Sequence, residues 1–297
     1  FLFRLYAPIS EINSLRSSSI LRIPIVEAIA DQSIENKFSV SFGKKIVVSP
    51  NTQKNSLIIK NISFCYKNGV EVLKNISFQI KFGQTVGIVG RSGCGKTTLI
   101  KLLMNLYSPS KGNIYYGDEN LKNLDFSYWV KEIGYVPQKG FIFNGSIYEN
   151  VTMFDNSYLK KDILRILYSL GLKNHIKGLA KGIDSLIGDT NINLSGGQRQ
   201  KLMVARALVK KPEFLFLDEA TNEQDSISQN EIIKLLQKEY HGTIIIVSHN
   251  FSTLKSTDII FVLKNGRIIG KGGLEELNKS NKDFKDLLRN QIIQVAK

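Results

Sequence analysis

One octapeptide constrains this chain more than anything else in it: Gly90-Arg91-Ser92-Gly93-Cys94-Gly95-Lys96-Thr97, which fits G-x-x-x-x-G-K-[ST]. It follows a short apolar run, Thr85 to Val89. It precedes a helical stripe, Leu99, Ile100, Leu102, Leu103 and Leu106, which stops before Pro109. Strand, glycine-rich loop, helix is the setting in which such a loop cradles phosphate. Glycine lets the backbone wrap so closely that successive N–H groups face one point, and the helix behind adds the positive end of its dipole. Gly90, Ser92, Gly93, Cys94, Gly95, Lys96, Thr97 and Thr98 are therefore the expected contacts to the phosphates of a nucleotide. Lys96 brings a full charge to the β and γ oxygens. Thr97 offers a hydroxyl to Mg²⁺, a hard cation that takes oxygen ligands and keeps several waters. Ordinary Gly and Lys usage gives this pattern by chance on the order of once in a hundred such chains, so a merely flexible glycine loop explains it poorly.

Two later runs, Phe214 to Leu217 and Ile244 to Val247, are apolar on both faces, as central strands of a covered parallel sheet are. The first ends in Asp218-Glu219, which places two carboxylates at a strand's C-terminal edge, where ligands gather in open α/β sheets. Asp218 is the expected magnesium partner, through water, and Glu219 is positioned to polarise the attacking water. Before the loop lie strand-like pieces at Leu57 to Ile59, Ser63 to Tyr66 and Ser77 to Ile80. Between loop and carboxylates, Ser146 with Glu149 opens a capping box. Leu159, Ile163, Ile166, Leu167 and Leu170 then line one helical face ending at Gly171, an α-helical insertion. Near the end, Asn265-Gly266 sits between Ile259–Leu263 and Arg267–Gly270 as a hairpin signal, and a helical tail begins at Leu274. The fold class is α/β, with a mainly parallel sheet flanked by helices.

Charge is less decisive. Forty Lys and Arg against twenty-six Asp and Glu give +14, which favours any anion. The basic residues are scattered in blocks no longer than two, without aromatic interleaving, so no nucleic-acid partner is expected. Cys65 and Cys94 have no metal or disulfide spacing, and a reducing cytoplasm fits. The longest apolar runs fall far short of the ~20 residues a membrane helix needs. Phe1-Leu2-Phe3 begins without Met or a signal peptide, which reads as a piece of something longer. Residues 1–55 read as a helical segment and linker ahead of one domain, 56–297. His175 and His241 lack a motif and read as surface residues.

Leu194-Ser195-Gly196-Gly197-Gln198, ahead of a helix from Arg199 to Val209, resembles the signature motif of ATP-binding cassette proteins, and the other motifs follow in that family's order over roughly residues 57 to 290. The chain is thus identified as resembling the nucleotide-binding domain of an exporter-type cassette transporter, of which peptide and bacteriocin exporters are one kind. The resemblance implies a P-loop NTPase (RecA-like) core with an antiparallel β subdomain. It also implies an α-helical subdomain, about 140–211, that carries the signature.

It further implies that ATP is hydrolysed to power export at the cytoplasmic face of a membrane, with Mg²⁺ as cofactor. Tyr66 resembles the aromatic that stacks on adenine. Gln138, in Tyr135-Val136-Pro137-Gln138, resembles the residue that senses Mg²⁺ and relays to the membrane domain. His249 resembles the switch histidine that meets the γ-phosphate and orders the water with Glu219. Ser195, Gly196, Gly197 and Gln198 would contact the nucleotide of a second copy, in a homodimer, and Asp225 would lie at that interface. A transmembrane domain would be the other partner, and residues 1–55 resemble the end of its last helix.

Two departures stand out: Asn222-Glu223-Gln224 replaces the usual Ser-Ala-Leu before Asp225, and Gly188-Asp189 replaces Gly-Glu. The alternative reading is a soluble cassette ATPase acting on ribosomes or DNA. Such proteins commonly carry two cassettes, whereas this chain has one phosphate loop and one signature.

Overall fold

The computed structural model describes residues 56–67, 69–138, 140–188, 194–218, 226–248 and 251–295. The expected segment of residues 1–55 lies outside them, as do Glu219, Asp225, His249 and the substituted Asn222-Glu223-Gln224.

The strands run β1 (Leu57–Cys65), β2 (Glu71–Ile80), β3 (Thr85–Val89), β4 (Lys111–Tyr116), β5 (Glu119–Asn120), β6 (Ile133–Val136), β7 (Gly145–Ser146), β8 (Leu186–Ile187), β9 (Phe214–Asp218), β10 (Thr243–Val247), β11 (Ile259–Lys264) and β12 (Arg267–Gly272). Interleaved with them are α1 (Lys96–Leu103), α2 (Phe126–Lys131), α3 (Ile147–Thr152), α4 (Lys160–Ser169), α5 (Lys173–Gly178), α6 (Gly196–Leu208), α7 (Ser226–Glu239), α8 (Phe251–Leu254), α9 (Leu274–Ser280) and α10 (Lys282–Val295).

A six-stranded sheet in the order β12-β11-β3-β10-β9-β6 forms the centre, parallel throughout except for β12. β3, β9 and β10 are buried along their whole length, which is why each reads as an uninterrupted apolar run. The two-residue strand period divides β9 and β10 between two cores. Phe214, Phe216, Ile245 and Val247 pack on one face with β1, β2 and α1. Leu215, Leu217, Ile244 and Ile246 pack on the other with the helices from α3 to α7.

Against the first face lies an antiparallel sheet, β2-β1-β4-β5. The two strand pieces expected near residues 57 and 66 are one strand, β1, whose pairing shifts around Asn61, at φ 49°. Gly112 fits beneath that irregularity because a Cβ there would stand 2.3 Å from the Asn61 carbonyl oxygen. β4, β5 and β6 have no clear counterpart in the sequence pattern, since their polar and aromatic residues alternate only weakly. The Asn265-Gly266 hairpin forms as expected, with φ 49° and 77° at its two central residues and Lys264 paired to Arg267.

On the second face, α3 begins with the Ser146–Glu149 capping box, both halves of which are made. Arg206, in the last turn of α6, ties this helical subdomain together. Its guanidinium donates to the carbonyls of Asn150 (2.8 Å) and Phe141 (2.9 Å) and lies 5.3 Å from the Phe143 ring centroid. Burial pulls its pKa down to about 10, so the group stays charged at neutral pH.

Candidate functional site

Parallel strands present their C-terminal ends along one edge, and the order β6-β9-β10-β3 decides which loops meet there. Val89 leads into the phosphate loop, Asp218 closes β9, Val247 leads to Ser248, and Val136 leads to Gln138. The register holds them level: Val247 pairs with both Asp218 and Ile88, and Val136 pairs with Leu217. Three of the sequence-predicted groups, the phosphate loop, Asp218 and Gln138, are thus brought to one sheet edge. Glu219 and His249, next in sequence after Asp218 and Ser248, lie outside the described residues.

The phosphate loop has the shape its glycines allow. Gly93 and Gly95 have φ of 75° and 106°, and around Gly93 nothing would lie within 4 Å of a Cβ. Gly95 caps α1 without a side chain, and no acidic residue occupies the first turn. The N–H groups that open α1 therefore lack a side-chain cap and suit an anion. Lys96 is 5% exposed and donates from Nζ to the carbonyls of Gly90 and Arg91 at 3.0 and 3.1 Å, which holds the ammonium inside the loop. Ser92, Gly93 and Thr97 are exposed to an incoming ligand, whereas Cys94 and Thr98 are buried.

Tyr66 reaches the same place from β1's end: its hydroxyl is 3.0 Å from Thr98 Oγ1, although the two are 32 residues apart in sequence. Phe64 and Tyr107 pack edge-on against its ring and hold it there.

Asp218 is 5% exposed, and its Oδ2 accepts from the Tyr135 hydroxyl at 3.3 Å. Burial, and next the charge of Asp218, push the Tyr135 phenol well above its usual range, so it remains a donor at any physiological pH. Sequence reasoning gives Tyr135 no role of its own. The signal for it is its place on β6 two residues before Pro137, with the same strand parity as Ile133. The oxygens on offer from Thr97, Asp218 and exposed Gln138 suit Mg²⁺. Among the described residues no group of three His, Cys, Asp or Glu could hold a metal.

The signature residues are not part of this cluster. Ser195 caps α6 and its hydrogen bonds, like those of Gln198, stay within the helical subdomain. Gly196 is exposed beside it and Gly197 partly so. His175, read as a surface residue, is instead partly buried, with Nδ1 3.1 Å from Gln198 Nε2, because α5 folds back onto the start of α6. His241 is exposed as expected.

The two cysteines differ in a useful way, Cys65 being exposed and Cys94 buried under the loop. An alkylating reagent titrated onto the folded chain should modify Cys65 first without loss of ATP binding. Binding should then disappear in step with Cys94 modification, because added bulk cannot fit beneath the loop. Unchanged ATP affinity after complete modification of Cys94, followed by mass spectrometry, would contradict this.

The family profile for "ABC transporter" matches residues 73–222. A putative export ATP-binding/permease protein of Rickettsia typhi is 34% identical over 240 residues, which cover 80% of this chain and 42% of that protein. The lactococcin-G-processing and transport ATP-binding protein of Lactococcus lactis is 37% identical over 245 residues, 82% of this chain and 35% of that protein. Among solved structures, a bacterial Atm1-family ABC exporter with ATP bound aligns with a TM-score of 0.74 and 29% identity, over 80% of this chain and 42% of that one. The chain thus spans less than half the length of these relatives.

Proposed function

Because the chain belongs to the ABC transporter family, whose domain of this kind binds ATP, we propose that it is the nucleotide-binding part of an exporter and hydrolyses ATP as one half of a dimer. The observation that carries this is a division of labour: the phosphate loop, Asp218 and Gln138 share one edge of the parallel sheet and Tyr66 reaches the loop from the antiparallel one, while Ser195 and its helix terminus belong to another part of the molecule. A second copy supplies what each site lacks. ATP then lies between the loop of one chain and the signature turn of its partner, and hydrolysis to ADP and phosphate releases the two. The exporter relatives favour this over a soluble module acting on ribosome or DNA.

Lys96 neutralises the β and γ phosphate oxygens, and the uncapped amides of α1 take up charge that develops on them. Thr97 and Asp218 would hold Mg²⁺, which would draw the same oxygens into one orientation. Gln138 stands at that edge as the sensor of the loaded site. Glu219 accepts the proton of the attacking water, and His249 fixes that water's position. Tyr135 keeps Asp218 in place by donating to it.

Among the described residues no helix is long and apolar enough to cross a membrane. A transmembrane domain fused in the full-length chain is the other partner, and Phe141, Leu159 and Leu186, exposed at 61, 58 and 52%, offer it apolar contacts.

Solution mass tests the dimer directly. Glu219→Gln with Mg²⁺ and ATP should double its mass relative to the nucleotide-free sample. ATP-bound protein that stays monomeric would exclude the composite site in this chain by itself.

A further inference from the structure

The signature turn is held by a reciprocal cap. The Ser195 N–H donates to Gln198 Oε1 at 2.9 Å, and the Gln198 N–H donates to Ser195 Oγ at 3.2 Å. This determines which end of the Gln198 amide points elsewhere. With Oε1 engaged by Ser195, Nε2 is the atom that meets His175 Nδ1 at 3.1 Å. An amide nitrogen only donates, so Nδ1 accepts and the neutral ring carries its proton on Nε2. That Nε2 is buried and has no partner among the described residues. An unpaired buried polar atom is destabilising, a penalty that an aromatic hydrocarbon at this position would avoid.

We propose that His175 is a positioning residue for the signature turn, accepting from Gln198 so that the amide keeps the one orientation in which Oε1 caps Ser195. The Ser195 hydroxyl, already an acceptor from the Gln198 N–H, then keeps its own proton for an anionic oxygen. Without the acceptor on α5, the amide is free to turn. If it turns, the Ser195 N–H loses Oε1 and the anion-facing end of α6 loses its fixed shape. Burial anchors α5 beneath the turn, since Ile176, the residue after His175, is 2% exposed and the helix packs on α4 and on the 3₁₀ turn Gly182–Asp184.

The inference rests on the composite-site reading, and the experiment separates the two. Phe at 175 keeps ring bulk and removes the acceptor; Asn places an amide oxygen where Nδ1 stands and removes the bulk. In the full chain, His175→Phe should bind ATP within about twofold of wild type, because the phosphate loop is untouched. It should lose about tenfold in kcat, the equivalent of 1.36 kcal/mol, and should dimerise less in the Glu219→Gln background. His175→Asn should restore most of both. A Phe variant that turns over like wild type, or an Asn variant that falls as far as Phe, overturns the proposal. Wild-type protein that neither dimerises nor hydrolyses ATP overturns the composite site itself. The tautomer gives a readout independent of turnover and of the variants' folding. ¹⁵N resonances of wild-type His175 should show the proton on Nε2, and a proton on Nδ1 refutes the bond.

Discussion

Glu219→Gln is expected to bind ATP as wild type does and to lose about 10²–10⁴-fold in turnover, the range a positioned general base contributes. The substitution exchanges a carboxylate for an amide of the same shape, so nothing that grips the nucleotide changes. Lys96, the loop amides and Thr97 all precede it by more than a hundred positions and belong to β3 and α1 rather than β9. Only acceptance of the water proton is lost. Phosphate release measured beside equilibrium ATP binding checks this, and the two must part company. Joint loss would make Glu219 a binding residue, and unchanged release would move the base elsewhere.

The second large effect is expected at Gly90. A Cβ at that position would stand 2.3 Å from the Leu263 carbonyl oxygen and 2.6 Å from Cys94 Sγ. The cysteine could turn away, but Leu263 is backbone of β11, locked between β3 and β12. Gly90→Ala must therefore displace the loop itself. With it go the Gly90 and Arg91 carbonyls that hold Lys96. A misplacement of about 1 Å in a catalytic constellation costs on the order of 10²-fold, and that loss is expected here in kcat/KM for ATP, together with about 1–3 kcal/mol of stability from overpacking. Gly93→Ala is the control. It meets no neighbour within 4 Å and bears only the strain of its φ of 75°, about 1–2 kcal/mol. Comparable losses at the two positions would mean that loop strain, rather than the clash with β11, governs.

Some of this site is legible in local sequence because its physics is local. Glycine at 93 and 95 frees positive φ, Ser195 with Gln198 closes a cap within one helical turn, and Asn265-Gly266 makes its own turn. β3, β9 and β10 announce themselves because strands covered on both faces carry apolar residues at every position. β4 and β6 do not, since each exposes part of its surface and mixes residue types. The partners of Tyr135 and His175 could not have been read from sequence. One is a carboxylate 83 positions away and the other an amide 23 positions away.

By itself, then, the sequence determined that this chain builds a glycine-rich loop behind a strand and a reciprocal cap on α6, since both depend on conformations that neighbouring residues impose on one another. Tertiary structure alone decided the order β6-β9-β10-β3, and with it which loops meet at one sheet edge. It also decided that Tyr135 supports Asp218 and that α5 lies under the signature turn. The reason is physical. Strand order is selected by how whole faces bury against helices and a second sheet, a long-range free-energy balance that no short stretch of chain encodes.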